Sequence, residues 1–275
     1  MPHVRANGIN IYYESQGEGE PLLLIAGLGA THHLWELQVP SFSRWYRVVT
    51  FDNRGAGDSD KPSDPYSIAL FADDTAALMD ALDIEWAHVY GQSMGGIIAQ
   101  EFALRHPRRA GCLVLGCTTF GGPNSVLPSP QAAALLSGMP NLGRRSADLA
   151  APPEQAVERV LELFYSPRYR REHAEEARRR IQSYFPLRTP PDAYARQLTA
   201  CLTFDAYDRL PQIAAPTLVI NGAEDALIPA ENSRIIAERI PGAELVLFPE
   251  AGHLYFHEVP EEADAAVADF LRRRG

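Results

Sequence analysis

A chain of 275 residues, 46% hydrophobic and 22% charged, is long enough for one large domain with an inserted subdomain and has ordinary globular composition. Its formal net charge of −10 argues against nucleic-acid or anionic-membrane partners, which need clustered Lys and Arg to offset negative charge. Three cysteines, Cys112, Cys117 and Cys201, form neither an even framework nor a CxxC pair, which argues against a disulfide-stapled secreted scaffold.

The N-terminal MPHVRANGINIYYESQG has no charged segment leading into an apolar one, and no stretch approaches about 18 continuous apolar residues. The expectation is a soluble, cytoplasmic protein. INIYYE alternates apolar and polar positions and reads as an edge hairpin strand before a turn at Gly17 and Gly19. PLLLIAG (21–27), YRVVTFD (46–52), WAHVYG (86–91) and AGCLVLG (110–116) follow, then PTLVING (216–222) and AELVLFP (243–249) after a gap. Runs that are apolar on both faces suit strands covered from both sides, as in a parallel sheet.

Helical patterns lie between these strands. Ser67 is placed to cap IALFADDTAALMDALD, whose apolar positions recur at three- and four-residue spacing. MGGIIAQEFALR follows the WAHVYG strand and stops before Pro107, and Pro229 suits the first position of a helix through Ile240. The closing VPEEADAAVADFLRRRG carries acids early and arginines late, in keeping with a helix dipole. Alternation of this kind predicts an α/β, mostly parallel, doubly wound sheet. From about Phe120 to Tyr207 there are no β-like runs but several helical ones, so a helical cap is expected at 120–207, inserted into a core of 1–119 and 208–275. The arginines between Arg168 and Arg180 interleave with Glu172, Glu175 and Glu176 and read as a solvated helix face.

The sharpest local signal is Gly91-Gln92-Ser93-Met94-Gly95, between a strand and a helix. With Gly at roughly 7% and Ser at roughly 5% of residues, a random chain of this length holds about 0.07 such matches. A strand-to-helix reversal this tight requires residues without Cβ two before and two after the serine. It lifts the Ser93 hydroxyl above the sheet edge and aims the Met94 N–H at a site where an oxyanion can form. A hydroxyl needs a base in contact to become nucleophilic. His253, on the loop after AELVLFP, is the candidate; His257 is its rival, four residues on at the start of the last helix. The HxxxH spacing lacks a third ligand, so no metal site is expected. Asp225, three residues after PTLVING, is the candidate acid that orients the base, with Glu224 beside it as the alternative. The order Ser, Asp, His is that of the nucleophile-elbow hydrolases. The second oxyanion donor is assigned to the Leu28 N–H in Ala26-Gly27-Leu28-Gly29, with Trp35, His32 and His33 walling the entrance.

These pieces, LLLIAGLG, FDNRGAGDSDKP, GQSMGG, NGAEDALIP and PEAGHLYFHEVPEE, resemble the α/β-hydrolase superfamily over nearly the whole chain. Within it the pattern is similar to enol-lactonases of the 3-oxoadipate type, small carboxylesterases and C–C-bond hydrolases. The resemblance implies an eight-stranded sheet with a cap, and a serine hydrolase that cleaves a partly apolar ester or lactone through an acyl-enzyme, without cofactor. Acyl transfer or C–C cleavage would use the same residues, and a weakly catalytic small-molecule receptor is the non-enzymatic alternative. Ser93 stands where dehalogenases and epoxide hydrolases of this fold carry Asp. Asp52 and Arg54 are expected to be structural. Phe120, Leu142, Phe164, Tyr184 and Tyr255, with Trp35, are the candidate pocket walls, and Arg144 and Arg145 the candidate basic groups for an enol-lactone carboxylate.

Overall fold

The computed structural model describes residues 2–142, 154–183 and 188–275. In chain order the elements are β1 (His3–Ala6), β2 (Ile9–Gln16), β3 (Glu20–Ile25), α1 (Gln38–Phe42), β4 (Tyr46–Phe51), α2 (Ile68–Ala81), β5 (Ala87–Gln92), α3 (Met94–Arg105) and β6 (Ala110–Gly116). Five helices follow: α4 (Pro130–Leu142), α5 (Glu154–Phe164), α6 (Pro167–Glu172), α7 (Ala174–Ser183) and α8 (Pro191–Leu202). Then come β7 (Thr217–Gly222), α9 (Ala230–Arg239), β8 (Glu244–Phe248), α10 (Tyr255–Glu258) and α11 (Pro260–Arg274). Ser67 caps α2, its Oγ accepting the Leu70 N–H at 3.1 Å. Among the described residues no helix is long and apolar enough to cross a membrane.

The eight strands form one sheet in the order β1-β2-β4-β3-β5-β6-β7-β8. The pairs from β4 through β8 are parallel; β1 with β2 and β2 with β4 are antiparallel. The N-terminal hairpin differs from the sequence expectation. Its turn is Asn7-Gly8, with φ of 45° and 80°, and it joins β2 to an additional strand, β1. Asn-Gly is the dipeptide that tolerates two successive left-handed residues, and so closes a two-residue hairpin. The Gly17 and Gly19 turn lies at the other end of β2.

The parallel strands bury both faces, and alternate residues feed two different cores. Leu23 and Ile25 of β3, Leu113 and Leu115 of β6, and Val219 of β7 join Phe71, Ile98, Phe102 and Ile236 from α2, α3 and α9. Leu22, Leu24, Val114, Leu218 and Ile220 point the other way, to Phe42, Phe270 and Leu271 from α1 and α11. Val160, Ile181 and Tyr194, from the helices between β6 and β7, belong to this second cluster. Such burial is what holds a strand in register, since a one-residue slip would exchange the two sets.

One buried ion pair ties the loop after β4 to α2. Arg54 donates through Nε to Asp74 Oδ2 at 2.8 Å and through Nη2 to Oδ1 at 2.6 Å, and Asn7 Nδ2 adds a third donor at 2.7 Å. Burial raises the Asp74 pKa, and the Arg54 pairing opposes that rise. Removing one member of a desolvated pair strands the other charge. Asp74→Ala is therefore expected to lower unfolding stability by about 3–5 kcal/mol in urea titrations. Asp73→Ala, at the half-exposed pair with Arg105, is expected to stay within about 1 kcal/mol of the parent.

Candidate active site

The C-terminal ends of β3, β5, β7 and β8 point to one rim of the sheet, and each delivers one part of the site. At β5 the chain reverses into α3 through Ser93, whose φ of 55° and ψ of −116° are a conformation that non-glycine residues adopt only under constraint. The constraint is steric and hydrogen-bonded. A Cβ on Gly95 would lie 2.0 Å from the Ile25 carbonyl oxygen, and one on Gly91 would lie 2.1 Å from the Gly95 carbonyl oxygen. The Ser93 N–H donates to Gly116 O at 2.9 Å, and Thr118 Oγ1 donates to Ser93 O at 2.7 Å. Strand β6 and the residues just after it thus hold the strained turn from one side.

Asp225 and His253 meet beside this turn. His253 Nδ1–H donates to Asp225 Oδ2 at 2.8 Å, and the Leu227 and Ile228 N–H groups donate to Oδ1, each at 2.8 Å. Both side chains are buried. Three donors leave the Asp225 carboxylate well solvated by the protein and fix its plane toward the imidazole. Glu224, the alternative, faces solvent. Burial works against charge on His253, but the Asp225 carboxylate, with a contribution from Cys117, raises its pKa above the ordinary histidine value.

The other histidines are engaged elsewhere. His257 is buried with Nε2 at 3.4 Å from Leu34 O, and desolvation with the Arg180 charge lowers its pKa to about 3. His32 is bound to Asp52, Nδ1 to Oδ1 at 2.8 Å, and Asp52 also accepts the His32 and Asp58 N–H groups. His33 is exposed and reaches the cavity that contains His253.

Ser93 and His253 line the same cavity, together with Gly27, Leu28, Phe164 and Tyr194. Among the described residues the hydrogen bond that reaches His253 Nε2 comes from Gln92 Nε2, at 3.1 Å, and not from the Ser93 hydroxyl. The same amide donates to Cys117 Sγ at 3.2 Å. As a donor to Nε2, this amide favours a lone pair there and the proton on Nδ1, against the pull of Asp225 toward the charged imidazolium. Sequence reasoning missed this contact; nothing in the motif indicates where the Gln92 side chain turns.

It also missed the anchor of the β3 loop. Gln197 of α8 accepts the Gly29 N–H through Oε1 at 2.9 Å and donates through Nε2 to Arg54 O at 2.8 Å, while Thr189 Oγ1 donates to Gly29 O at 3.1 Å. Leu28, one residue before Gly29, lines both cavities that Ser93 lines, and Gly27 lies against the Ser93 side chain. The Met94 N–H, first in α3, lies among the helix donors that have no intrahelical acceptor.

The expected pocket walls divide. Phe164 lines the cavity, its ring centroid 5.7 Å from that of His253. Trp35, Phe120 and Tyr255 are wholly buried and line neither cavity that opens on Ser93. Trp35 packs on Tyr90 and Phe256 below the rim, Tyr255 hydrogen-bonds Tyr90 OH at 2.6 Å, and Phe120 packs on Tyr207 in the opposite core. Each is drawn inward because a large ring gains more from full burial than from a half-wetted wall. The Leu142 side chain, Tyr184, Arg144 and Arg145 fall outside the described residues. No group of three or more His, Cys, Asp or Glu suited to a metal occurs among the described residues.

Comparison with known proteins identifies relatives over nearly the whole chain. The model of the alpha/beta hydrolase fold family matches residues 20–260. RutD of Azorhizobium caulinodans, named provisionally as a carbamate hydrolase, is 31% identical, with 98% of each chain covered. BpoC of Mycobacterium tuberculosis, named provisionally as a non-heme bromoperoxidase, is 33% identical, covering 96% of this chain and 98% of its own. Among solved structures, the enol-lactonase from Burkholderia xenovorans LB400 superposes with a TM-score of 0.84 at 28% identity, covering 98% of this chain and 100% of its own. By its sheet order, its strand-to-helix turn at Ser93 and these matches, the chain belongs to the α/β-hydrolase family, and it is a hydrolase.

Proposed function

We propose that this protein hydrolyses a carboxylic ester or lactone through an acyl-enzyme formed on Ser93. The observation that carries the reading is the buried His253–Asp225 pair at 2.8 Å, opening on the cavity that also holds the strained Ser93. In the acylation step Ser93 Oγ forms a bond to the substrate carbonyl carbon while its proton passes to His253 Nε2. The negative charge that develops on the carbonyl oxygen is stabilised by the Leu28 and Met94 N–H groups. Collapse breaks the bond to the alcohol oxygen, which takes the proton from His253. Water then repeats the sequence and releases the acid.

Before the first proton transfer, Gln92 must yield the Nε2 lone pair to the Ser93 hydroxyl. Asp225 stabilises the imidazolium that follows. The reading needs only side chains and backbone donors, and Leu136, Val160, Phe164, Ile181 and Tyr194 of helices α4, α5, α7 and α8 wall the cavity beside the reacting atoms. The names of the relatives span carbamate and lactone substrates. Both are acyl groups that the same serine step attacks, and the largely apolar lining around His253 suits an ester.

Ser93→Ala is expected to abolish hydrolysis of p-nitrophenyl butyrate with an unchanged circular dichroism spectrum; parental turnover in that variant would discard the nucleophile. Ser93→Gly should be equally inactive yet more stable than Ser93→Ala by about 1–3 kcal/mol, because glycine adopts this backbone without strain. Neutral His253 is the active form, so kcat/KM rises with pH along a limb displaced above the usual histidine value of about 6.5. The displacement comes from Asp225, so Asp225→Asn should move the limb to lower pH while reducing kcat by about 10⁴-fold. A limb that stays in place would remove Asp225 from its role.

A further inference from the structure

Two cavities share Ser93, and their walls differ in kind. The first contains His253, with His33 and Arg188 also on its lining. The second, of about 490 Å³, runs from Met94 and Ile97 under α4 and α8 to Leu127 and Leu202. No charged side chain lines it among the described residues. Leu28, Ser93, Leu136 and Leu227 border both, so the serine hydroxyl stands at the junction.

We propose that the second cavity binds the acyl chain of the substrate, and that the protein is selective for esters of medium-chain, straight fatty acids with small alcohols. The inference rests on the acyl-enzyme reading and extends it by assigning sides. His253 delivers its proton to the departing alcohol oxygen, and it lines the first cavity alone. The alcohol therefore leaves on that side. The carbonyl oxygen is aimed at the Leu28 and Met94 N–H groups. At a tetrahedral carbon bonded to Ser93 Oγ, the remaining substituent then points away from His253, along Met94 and into the second cavity.

That space suits methylenes. Its walls are mostly apolar, with Ile97, Val126, Ala133, Leu198 and Ile228 among them and the Thr119, Ser125 and Ser137 side chains as polar exceptions, so a buried carboxylate or ammonium there would find no charged partner among the described residues. Leu127 and Leu202 are each 75% exposed and continue the apolar wall to the surface, which lets a chain longer than the cavity emerge along them.

The test is a series of p-nitrophenyl esters from acetate to decanoate. Each methylene that enters an apolar site contributes up to about fourfold in kcat/KM, so the parent protein should climb steeply from acetate and level off where the chain reaches the rim. Ala133→Phe and Ser137→Phe, one turn apart on α4, narrow the second cavity and should each lower the decanoate-to-acetate ratio by at least tenfold. Ile181→Phe, which narrows the first cavity, should leave that ratio within about threefold of the parent. A flat or falling series in the parent protein overturns the proposal. So does a ratio that collapses in Ile181→Phe and survives in both α4 variants, since the chain would then lie on the His253 side. If one α4 variant does not fold, the other decides. Retained acetate turnover in Ser93→Ala would instead break the underlying acyl-enzyme reading, whatever the chain-length series shows.

Discussion

The approach of Gly95 to the Ile25 carbonyl oxygen sets the geometry of everything above the sheet. At this crossing α3 begins almost in contact with the end of β3, leaving no room for a side chain. The chain therefore reverses within one residue, and Ser93 takes a backbone conformation it would not choose alone. Packing of α3 on the sheet through Ile98 and Phe102 supplies the force that keeps it there. The same crossing brings the Ser93 turn, the start of α3 and the β3 loop to one cavity. A rotation of α3 by a small angle would undo all three placements at once.

The electrostatic side of the site follows a similar economy. Asp225 has its oxygens occupied by two backbone donors and one imidazole, so its charge is balanced without a cation. Gln92 opposes protonation of His253 from one side while Asp225 favours it from the other. The base is thereby held between two demands in a region closed to bulk water. Local hydrogen bonds count for most in such places, because the dielectric is low and no solvent competes.

What the sequence disclosed follows the range of the forces concerned. The Gly91-x-Ser93-x-Gly95 spacing is a local steric requirement, so it can be read residue by residue. Asp225 and His253 stand out because each follows an apolar run, and the C-terminal ends of parallel strands gather at one rim whatever the loops do. The hairpin through Asn7-Gly8 is equally local, but β1 is only four residues long and buries one of them, so it leaves little apolar pattern to read. Side-chain direction in the third dimension was not legible. Trp35, Phe120 and Tyr255 have the composition of a pocket wall, yet their rings turn into the two cores, where partners distant in sequence complete their burial. Gln197 was hidden for the same reason: its value lies in meeting Gly29 and Arg54, neither of which is near it in the chain.

The position of Ser93 at the meeting of two chambers bears on what happens after the first half of the proposed reaction. On the proposed assignment, an attached acyl tail fills the apolar chamber and the space beside the imidazole is the one the alcohol vacates. On that assignment an incoming nucleophile, whether water or a second alcohol, approaches from the same side. The balance between breaking an ester and exchanging its alcohol would then turn on how that side of the cavity, with Arg188 and His33 on its lining, admits one visitor over another.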